Sequence, residues 1–275
     1  MTRPIVSPSR AALALACLIA SAPAFAIFQN GGFESNDYTG WTLGGGTNPG
    51  LVGSPPFNDA SVRINAGTPG PATVVTAGTT DPRAPTIQLP RAGTYTAKLN
   101  DENGGALVTT LVQTDTVKAA DVDPADGLPH IRFAFAPVLD DPSHGANDQP
   151  YFYVVVKNLA DQSVLFEQFA YSGQAGVQFE SGSGTWKYLE FQDVDVTLPA
   201  DAVGQQVELT VIAADCSQGA HGGYVYVDGF GSAQVGPGAA AATPVPAPGL
   251  GTIGLALLAA LLALVPTLLR RQPSR

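Results

Sequence analysis

Hydrophobic and polar positions alternate through the middle of the chain. Ile131-Arg132-Phe133-Ala134-Phe135 places Ile131, Phe133 and Phe135 on one side, the period-two signature of a strand with one face in a core. Tyr151–Lys157 (YFYVVVK) is aromatic or β-branched at almost every position, which predicts a strand covered on both faces. Val164–Tyr171, Trp186–Phe191, Gln206–Ala213 and Tyr224–Asp228 look similar. Turn-forming runs separate them: Asp140-Asp141-Pro142, Asn158–Asp161, Ser172-Gly173 and Ser181–Gly184. Strand centres roughly 12–20 residues apart suit an all-β antiparallel sandwich. Gly44–Pro90 is rich in Gly, Pro and Thr and only weakly patterned, so short strands and long loops are expected there. No repeat with a period of 20–50 residues is present.

The two ends follow other patterns. Residues 1–26 combine a basic start (Arg3, Arg10), a short apolar run (Ala11–Ala20) and Ala24-Phe25-Ala26, a small-x-small cleavage pattern, and so read as a secretory signal peptide. Cys17 follows Ala14-Leu15-Ala16, a poor match to a Leu-led lipidation motif. At the far end, Gly236–Pro248 is an uncharged Gly/Ala/Pro linker. Gly249–Leu269 is apolar apart from Thr252 and Thr267, and Arg270-Arg271 follow. About twenty such residues in a helix span about 30 Å, the thickness of a hydrocarbon core. The arginines belong on the cytoplasmic side. Residues 249–275 are therefore expected to be a transmembrane anchor or sorting segment, with residues 27–235 outside the cell.

Val245-Pro246-Ala247-Pro248, the apolar run Leu250–Leu269 and Arg270-Arg271 together resemble the C-terminal protein-sorting signals of the PEP-CTERM type found in bacteria. Ala247 stands where the family has Glu. The resemblance implies a sorting protease of exosortase or rhombosortase type as a partner. It also implies a product attached to the cell surface or released from it.

Composition narrows the function classes. The 275 residues include 31 Gly and 23 Pro with only 13% charged residues, which excludes long exposed helices and coiled coils. The 45% hydrophobic share is enough for a packed core. Net charge is −10, but five of the 13 basic residues lie outside 27–235 while all 23 acidic ones lie inside, leaving −15 on that segment. Nucleic-acid binding depends on Lys and Arg displacing counterions, so a nucleic-acid partner is excluded.

Asn30-Gly31-Gly32-Phe33-Glu34, followed by Gly40-Trp41, resembles the opening of galactose-binding-like jelly rolls, among them several carbohydrate-binding module families. Gly93–Leu99, Trp186-Lys187-Tyr188 and the closing Tyr224–Asp228 resemble later strands of the same fold. The Gln149–Phe152 segment and Ala214-Asp215-Cys216 with His221–Tyr224 are similar to a recurrent domain of secreted bacterial surface proteins. The jelly-roll resemblance implies one structural Ca²⁺ held by Glu34 and Asp228, with Asp101 or Asn30 adding oxygens to the six to eight that the ion takes. It also implies carbohydrate as ligand. Aromatic rings stack on the apolar faces of sugars, and Trp41, Tyr151, Tyr153, Tyr171, Trp186 and Tyr188 are available. By strand alternation Tyr151 and Tyr153 share one face, and Trp186 and Tyr188 share another. These four are the candidate sugar-binding residues, with core packing as the alternative for each.

Motifs of catalysis are missing. There is no Gly-x-Ser-x-Gly elbow, phosphate-binding Gly loop or His-Glu-x-x-His. His130, His144 and His221 show none of the short spacings of zinc sites, so structural roles are expected. Cys216–Gly223 brings a thiol and an imidazole close to Asp215 in sequence, yet shows no oxyanion site. After signal cleavage Cys216 stands alone, without an internal disulfide partner, and a buried thiol is expected. Asp121, Asp123 and Asp126 lack the Gly and distal Glu of an EF-hand loop and read as a solvated acidic turn. The sequence thus describes an exported, non-catalytic β-sandwich protein of the bacterial surface or matrix that binds polysaccharide. A structural protein without a sugar ligand is the alternative, and a glycan hydrolase the minority reading.

Overall fold

The computed structural model describes residues 27–233, and these form two antiparallel sheets face to face. The strands are β1 (Thr42–Thr47), β2 (Ala72–Thr76), β3 (Tyr95–Leu99), β4 (Leu107–Thr116), β5 (His130–Asp140), β6 (Tyr151–Asn158), β7 (Val164–Tyr171), β8 (Glu180–Ser181), β9 (Trp186–Tyr188), β10 (Gln192–Thr197), β11 (Gln206–Ala214) and β12 (Gly223–Gly231). The first sheet has the order β1-β4-β11-β6-β7. The second runs β2-β3-β12-β5-β9-β8, with β10 pairing the early half of β5. The signal segment (1–26), the linker (236–248) and the apolar segment (249–275) lie outside the described residues. No helix among the described residues is long and apolar enough to cross a membrane.

Alternation builds the core. Phe152, Val154 and Val156 on β6 and Val207, Leu209, Val211 and Ala213 on β11 point inward from the first sheet. Ile131, Phe133, Phe135 and Leu139 on β5 meet them from the second, with Val225 and Val227 of β12. Each such large apolar side chain stabilises the fold by roughly 1.5–3 kcal/mol on leaving water. The open end of this core is closed by the N-terminal segment, where Phe28, Phe33, Trp41, Phe133 and Phe230 form one aromatic cluster. Close approach is possible there because residue 31 is glycine: a Cβ would sit 1.8 Å from the Phe230 carbonyl oxygen. Trp41 is therefore a core residue, its Nε1 donating to the Asn30 carbonyl at 3.2 Å.

β4 escaped the hydrophobic pattern because threonine and glutamine occupy buried positions: Thr109 and Gln113 face inward beside Leu111. Gln113 is matched to the N-terminal segment, accepting from the Gln29 N–H at 2.5 Å and donating to the Gln29 carbonyl at 3.0 Å.

The acidic run at 121–126 is a solvated turn only in part: residues 124–127 are an exposed turn, but Asp121 is not. Asp121 is buried and accepts from the backbone N–H groups of Ile27 (2.9 Å) and Lys118 (2.7 Å). Asp123 pairs with Arg132 at 2.7 Å, and Asp126 with His130 at 3.0 Å. Burial pushes the His130 imidazole down, but the carboxylates of Asp195 and Asp126 outweigh it and raise the pKa above the ordinary value. The run ties the first residues of the domain to β5, a long-range role that local spacing does not reveal.

Candidate functional site

Both outer faces of the sandwich carry aromatic side chains, and both are covered by the chain itself. On the second sheet, Tyr224 and Tyr226 of β12 and Trp186 and Tyr188 of β9 project outward, on the side opposite Val225 and Val227. Residues 77–92 run across them and seat Ala84 and Ile87 among the rings. Asp81 is the keystone of this cover. Its carboxylate accepts from the backbone N–H groups of Arg83 (2.7 Å) and Ala84 (2.9 Å), from the Tyr224 hydroxyl (2.8 Å) and from the Tyr226 hydroxyl (2.7 Å). Burial, reinforced by the Asp81 charge, holds both phenols far above their ordinary pKa.

Cations flank the layer. Lys98 Nζ sits 3.9 Å from the Tyr224 ring centroid while pairing with Glu102 at 3.0 Å. The Arg83 guanidinium lies 5.3 Å from the centroid of Trp186. At the rim, Tyr188 Oη lies 2.8 Å from Thr86 Oγ1 and 3.0 Å from Glu180, and Thr86 Oγ1 also meets Glu190, so the two hydroxyl protons are shared among three close oxygen contacts.

The outer face of the first sheet is apolar. Tyr151, Tyr153 and Val155 of β6 lie under Leu51 and Phe57 of the 48–64 segment. Phe57 meets the rings of Phe169 (5.7 Å) and Tyr171 (5.8 Å) edge-on, the geometry that ring quadrupoles favour. Tyr153 donates to Glu167 at 2.8 Å.

These arrangements correct the sugar-binding assignment. Tyr151, Tyr153, Trp186 and Tyr188 are 0%, 1%, 5% and 3% exposed, so their ring faces are already occupied by protein. The alternation was read correctly, and each pair does share a face. The two pairs, however, lie on opposite outer faces, and each face is packed rather than open. Tyr224, Tyr226 and Asp81 were missed as part of the layer. Tyr224-Val225-Tyr226 held the signal for the first two, since alternation puts both phenols on the face opposite Val225. Nothing local marked Asp81, whose partners lie far along the chain.

Of the calcium candidates, two come together and one does not. Gly32 is the link: a Cβ there would lie 3.6 Å from Glu34 Cγ and 3.9 Å from Asp228 Oδ1. Asp228 is buried and accepts from Thr96 Oγ1 (2.6 Å), Gly229 N–H (2.7 Å) and Ala92 N–H (3.1 Å). Burial, with the Glu34 charge adding to it, pushes its carboxyl up to about 7. Glu34 Oε1 accepts from Thr94 and Tyr95 N–H. Two convergent carboxylates, one buried without a cationic partner among the described residues, are a donor set that a hard cation fits. Asp101 does not join them. It closes its own turn on Asn103 (2.8 and 2.9 Å) beyond the opposite end of β3 from Thr94. Asn30 is engaged with Ser35 and Asp37.

No family model matches the chain, and no curated protein matches it. Among solved structures, similarity is found to the CBM27-1 module of Caldicellulosiruptor saccharolyticus in complex with mannohexaose, at 14% identity and a TM-score of 0.29, covering 57% of this chain and 87% of that one. A CBM28 module specific for non-crystalline cellulose matches at 11% identity and a TM-score of 0.33, covering 73% and 90%. The K3 cleaved adhesin domain of Lys-gingipain from Porphyromonas gingivalis w83 matches at 12% and 0.25, covering 58% and 88%. TM-scores this low leave the function of the chain to be argued from its own side chains.

Proposed function

We propose that residues 27–235 form a non-catalytic structural domain of an exported bacterial protein, displayed at the cell surface or in the extracellular matrix. The observation that carries this reading is that the aromatic side chains on both outer sheet faces are covered by segments of the same chain, 48–64 and 77–92. A sandwich covered in this way offers no open aromatic platform, and its buried carboxylates are engaged in holding the fold. Export rests on the signal-peptide pattern, and anchoring or sorting on the apolar C-terminal segment with its arginines.

One contact supports cleavage after Ala26. The Ile27 nitrogen is buried against Asp121 at 2.9 Å. Cleavage would turn that N–H into an ammonium facing a carboxylate, a stronger, charge-assisted bond. Mass spectrometry of exported material should show Ile27 as the first residue, and a chain retaining Met1 would defeat the export reading. Within the same proposal, Glu34 and Asp228 hold one structural Ca²⁺ that ties the N-terminal turn to β12. Ca²⁺ added back to the chelator-stripped chain should then raise the melting temperature, and Glu34→Ala should remove that response.

A second reading, polysaccharide binding, is favoured by the rim of the second sheet, where Thr86, Glu180, Glu190 and the Tyr188 hydroxyl gather oxygens near the surface. Such groups hydrogen-bond sugar hydroxyls without stacking. Retention of residues 27–235 on a panel of soluble and insoluble polysaccharides, with Ca²⁺ and with EDTA, separates the two. The structural reading expects no saturable binding from the folded domain. Saturable binding that is lost in Glu180→Gln or Glu190→Gln would replace it with the second.

A further inference from the structure

One group of side chains takes no part in either cover or in the calcium pair. Cys216 and His221 lie in the loop between β11 and β12, and His144 lies in the loop between β5 and β6. One ligand atom from each, the Cys216 sulfur and a ring nitrogen of either histidine, falls within 4.8 Å of the others. Cys216 Sγ is 3.7 Å from His221 Nδ1, and the two imidazole centroids are 5.2 Å apart. His144 Nδ1 is buried and has no hydrogen-bond partner.

We propose that Cys216, His221 and His144 form a binding site for a zinc ion. Zn–S and Zn–N bonds of about 2.3 and 2.0–2.1 Å at tetrahedral angles put sulfur and nitrogen about 3.6 Å apart and two nitrogens about 3.3 Å apart. The Cys216–His221 separation is already at the first value. His144 needs to move by no more than about 1.5 Å to complete the set. One thiolate and two imidazoles are the borderline-soft donors that zinc selects over calcium or magnesium. The −15 charge of the surrounding segment draws cations toward it.

The loop is built to hold these positions. Cys216 N–H donates to the His221 carbonyl at 3.0 Å, and Gly219 N–H donates to the Cys216 carbonyl at 3.1 Å. Its back lies against Gly104, where a Cβ would come within 2.5 Å of the Ala220 carbonyl carbon and 2.7 Å of the His221 nitrogen. Asp215, next to Cys216, anchors the loop base by accepting from Asn100 Nδ2 (2.9 Å), Leu107 N–H (3.0 Å) and Gly223 N–H (3.2 Å). On the other side Ser217 bonds Asp148, in the loop that carries His144. A nucleophilic cysteine with one base is the competing chemistry. It requires a thiol open to substrate, whereas Cys216 is 0% exposed and a second imidazole converges on it.

The test is a Co²⁺ titration of the full chain carrying Cys17→Ser, purified in detergent with a non-thiol reductant and stripped with a chelator. One Co²⁺ per chain is expected, with a thiolate-to-metal charge-transfer band and the visible absorption of a four-coordinate site, and stoichiometric Zn²⁺ should bleach both. Cys216→Ser should abolish the charge-transfer band. His144→Ala and His221→Ala should each weaken binding at least about tenfold, because either removes a direct ligand. Unchanged melting of the metal-free variants would show that the ligand rather than the fold was lost. Absence of the band in the folded parent, affinity unaltered by His144→Ala, or binding of Cu⁺ with no uptake of Zn²⁺ or Co²⁺ would each overturn the assignment.

Discussion

The two covers of the sandwich solve the same problem by different chemistry. On the first sheet, 48–64 lays Leu51 and Phe57 on Tyr151, Tyr153 and Val155, an apolar contact at its centre, with polar bonds only at its edge, from Asp59 to Lys157 and Glu167 and from Asn147 to the Leu51 carbonyl. On the second, the middle of 77–92 is held by one buried carboxylate that takes two phenol hydroxyls and two backbone N–H groups. Apolar packing is non-directional and degrades in proportion to the area lost. A buried polar hub is directional, and removing it leaves every partner unsatisfied at once. The second cover should therefore fail more sharply than the first.

Asp81→Ala gives the largest expected effect. Two tyrosine hydroxyls and two N–H groups lose their acceptor, and each unsatisfied buried group costs about 1–3 kcal/mol. A loss of at least about 3 kcal/mol in urea denaturation is expected. A loss below about 1 kcal/mol would mean that water readily replaces the carboxylate and that the hub description is wrong. Phe57→Ala comes next, at about 3 kcal/mol, the lower end for truncating a buried phenylalanine, because its pocket lies near the surface and can partly collapse. The covers occupy opposite sides of the molecule, so the double variant should show additive losses within about 0.5 kcal/mol. Marked coupling would show that the two covers do not act independently.

A third effect is a pH dependence centred on the second sheet and the β11–β12 loop. Asp228 and Asp215 are both pushed up to about 7, chiefly by burial. Unfolded, they titrate near 4. Between those values the folded chain binds more protons than the unfolded one, so stability falls as pH rises from about 4 to about 7. His130, raised above its unfolded value, acts in the same direction: its contribution is complete below that value and fades as pH climbs through the folded one. Asp195, Asp126 and Asp123 are lowered, so their contribution fades only in acid, as pH drops through their folded values. Melting in EDTA should be highest near about pH 5, and Asp228→Asn should flatten the decline toward pH 8. A profile that rises steadily to pH 8 would contradict both buried carboxyls.

How much of this was legible in the chain depended on range. Ile131 to Phe135 and Tyr151 to Lys157 announced their strands, because period-two burial is a local property. The pairing of Tyr151 with Tyr153, and of Trp186 with Tyr188, followed for the same reason. What the alternation left open is what lies over each face, and that is decided by the weakly patterned segment between Gly44 and Pro90. Both covers come from it. Glu34 and Asp228 were brought together by the likeness of their motifs to jelly rolls, not by spacing, and Asp101 was misplaced by the same likeness. The Cys216 cluster was hidden because one of its three members, His144, sits in a different loop. Sequence spacing finds sites built on one turn, and this one is built between two.

The smallest effect tests whether the second cover depends on its cation as well as its carboxylate. Lys98 Nζ lies 3.9 Å from the Tyr224 ring centroid and 3.0 Å from Glu102. Glu102 is exposed, so the ion pair contributes little in water. The ring contact is more sheltered, because Tyr224 is fully buried and Lys98 largely so. A cation over an aromatic face contributes about 0.5–1 kcal/mol at partly exposed sites. Lys98→Met keeps the aliphatic stem over the ring and removes only the charge. It should cost about 0.5–1 kcal/mol, and Glu102→Gln should cost less. If Glu102→Gln proves the more damaging, the charge on Lys98 serves the surface pair and not the ring. Asp81 would then be the main buried polar anchor of the second cover, beside the bonds that Thr86 and Arg91 make at its edge.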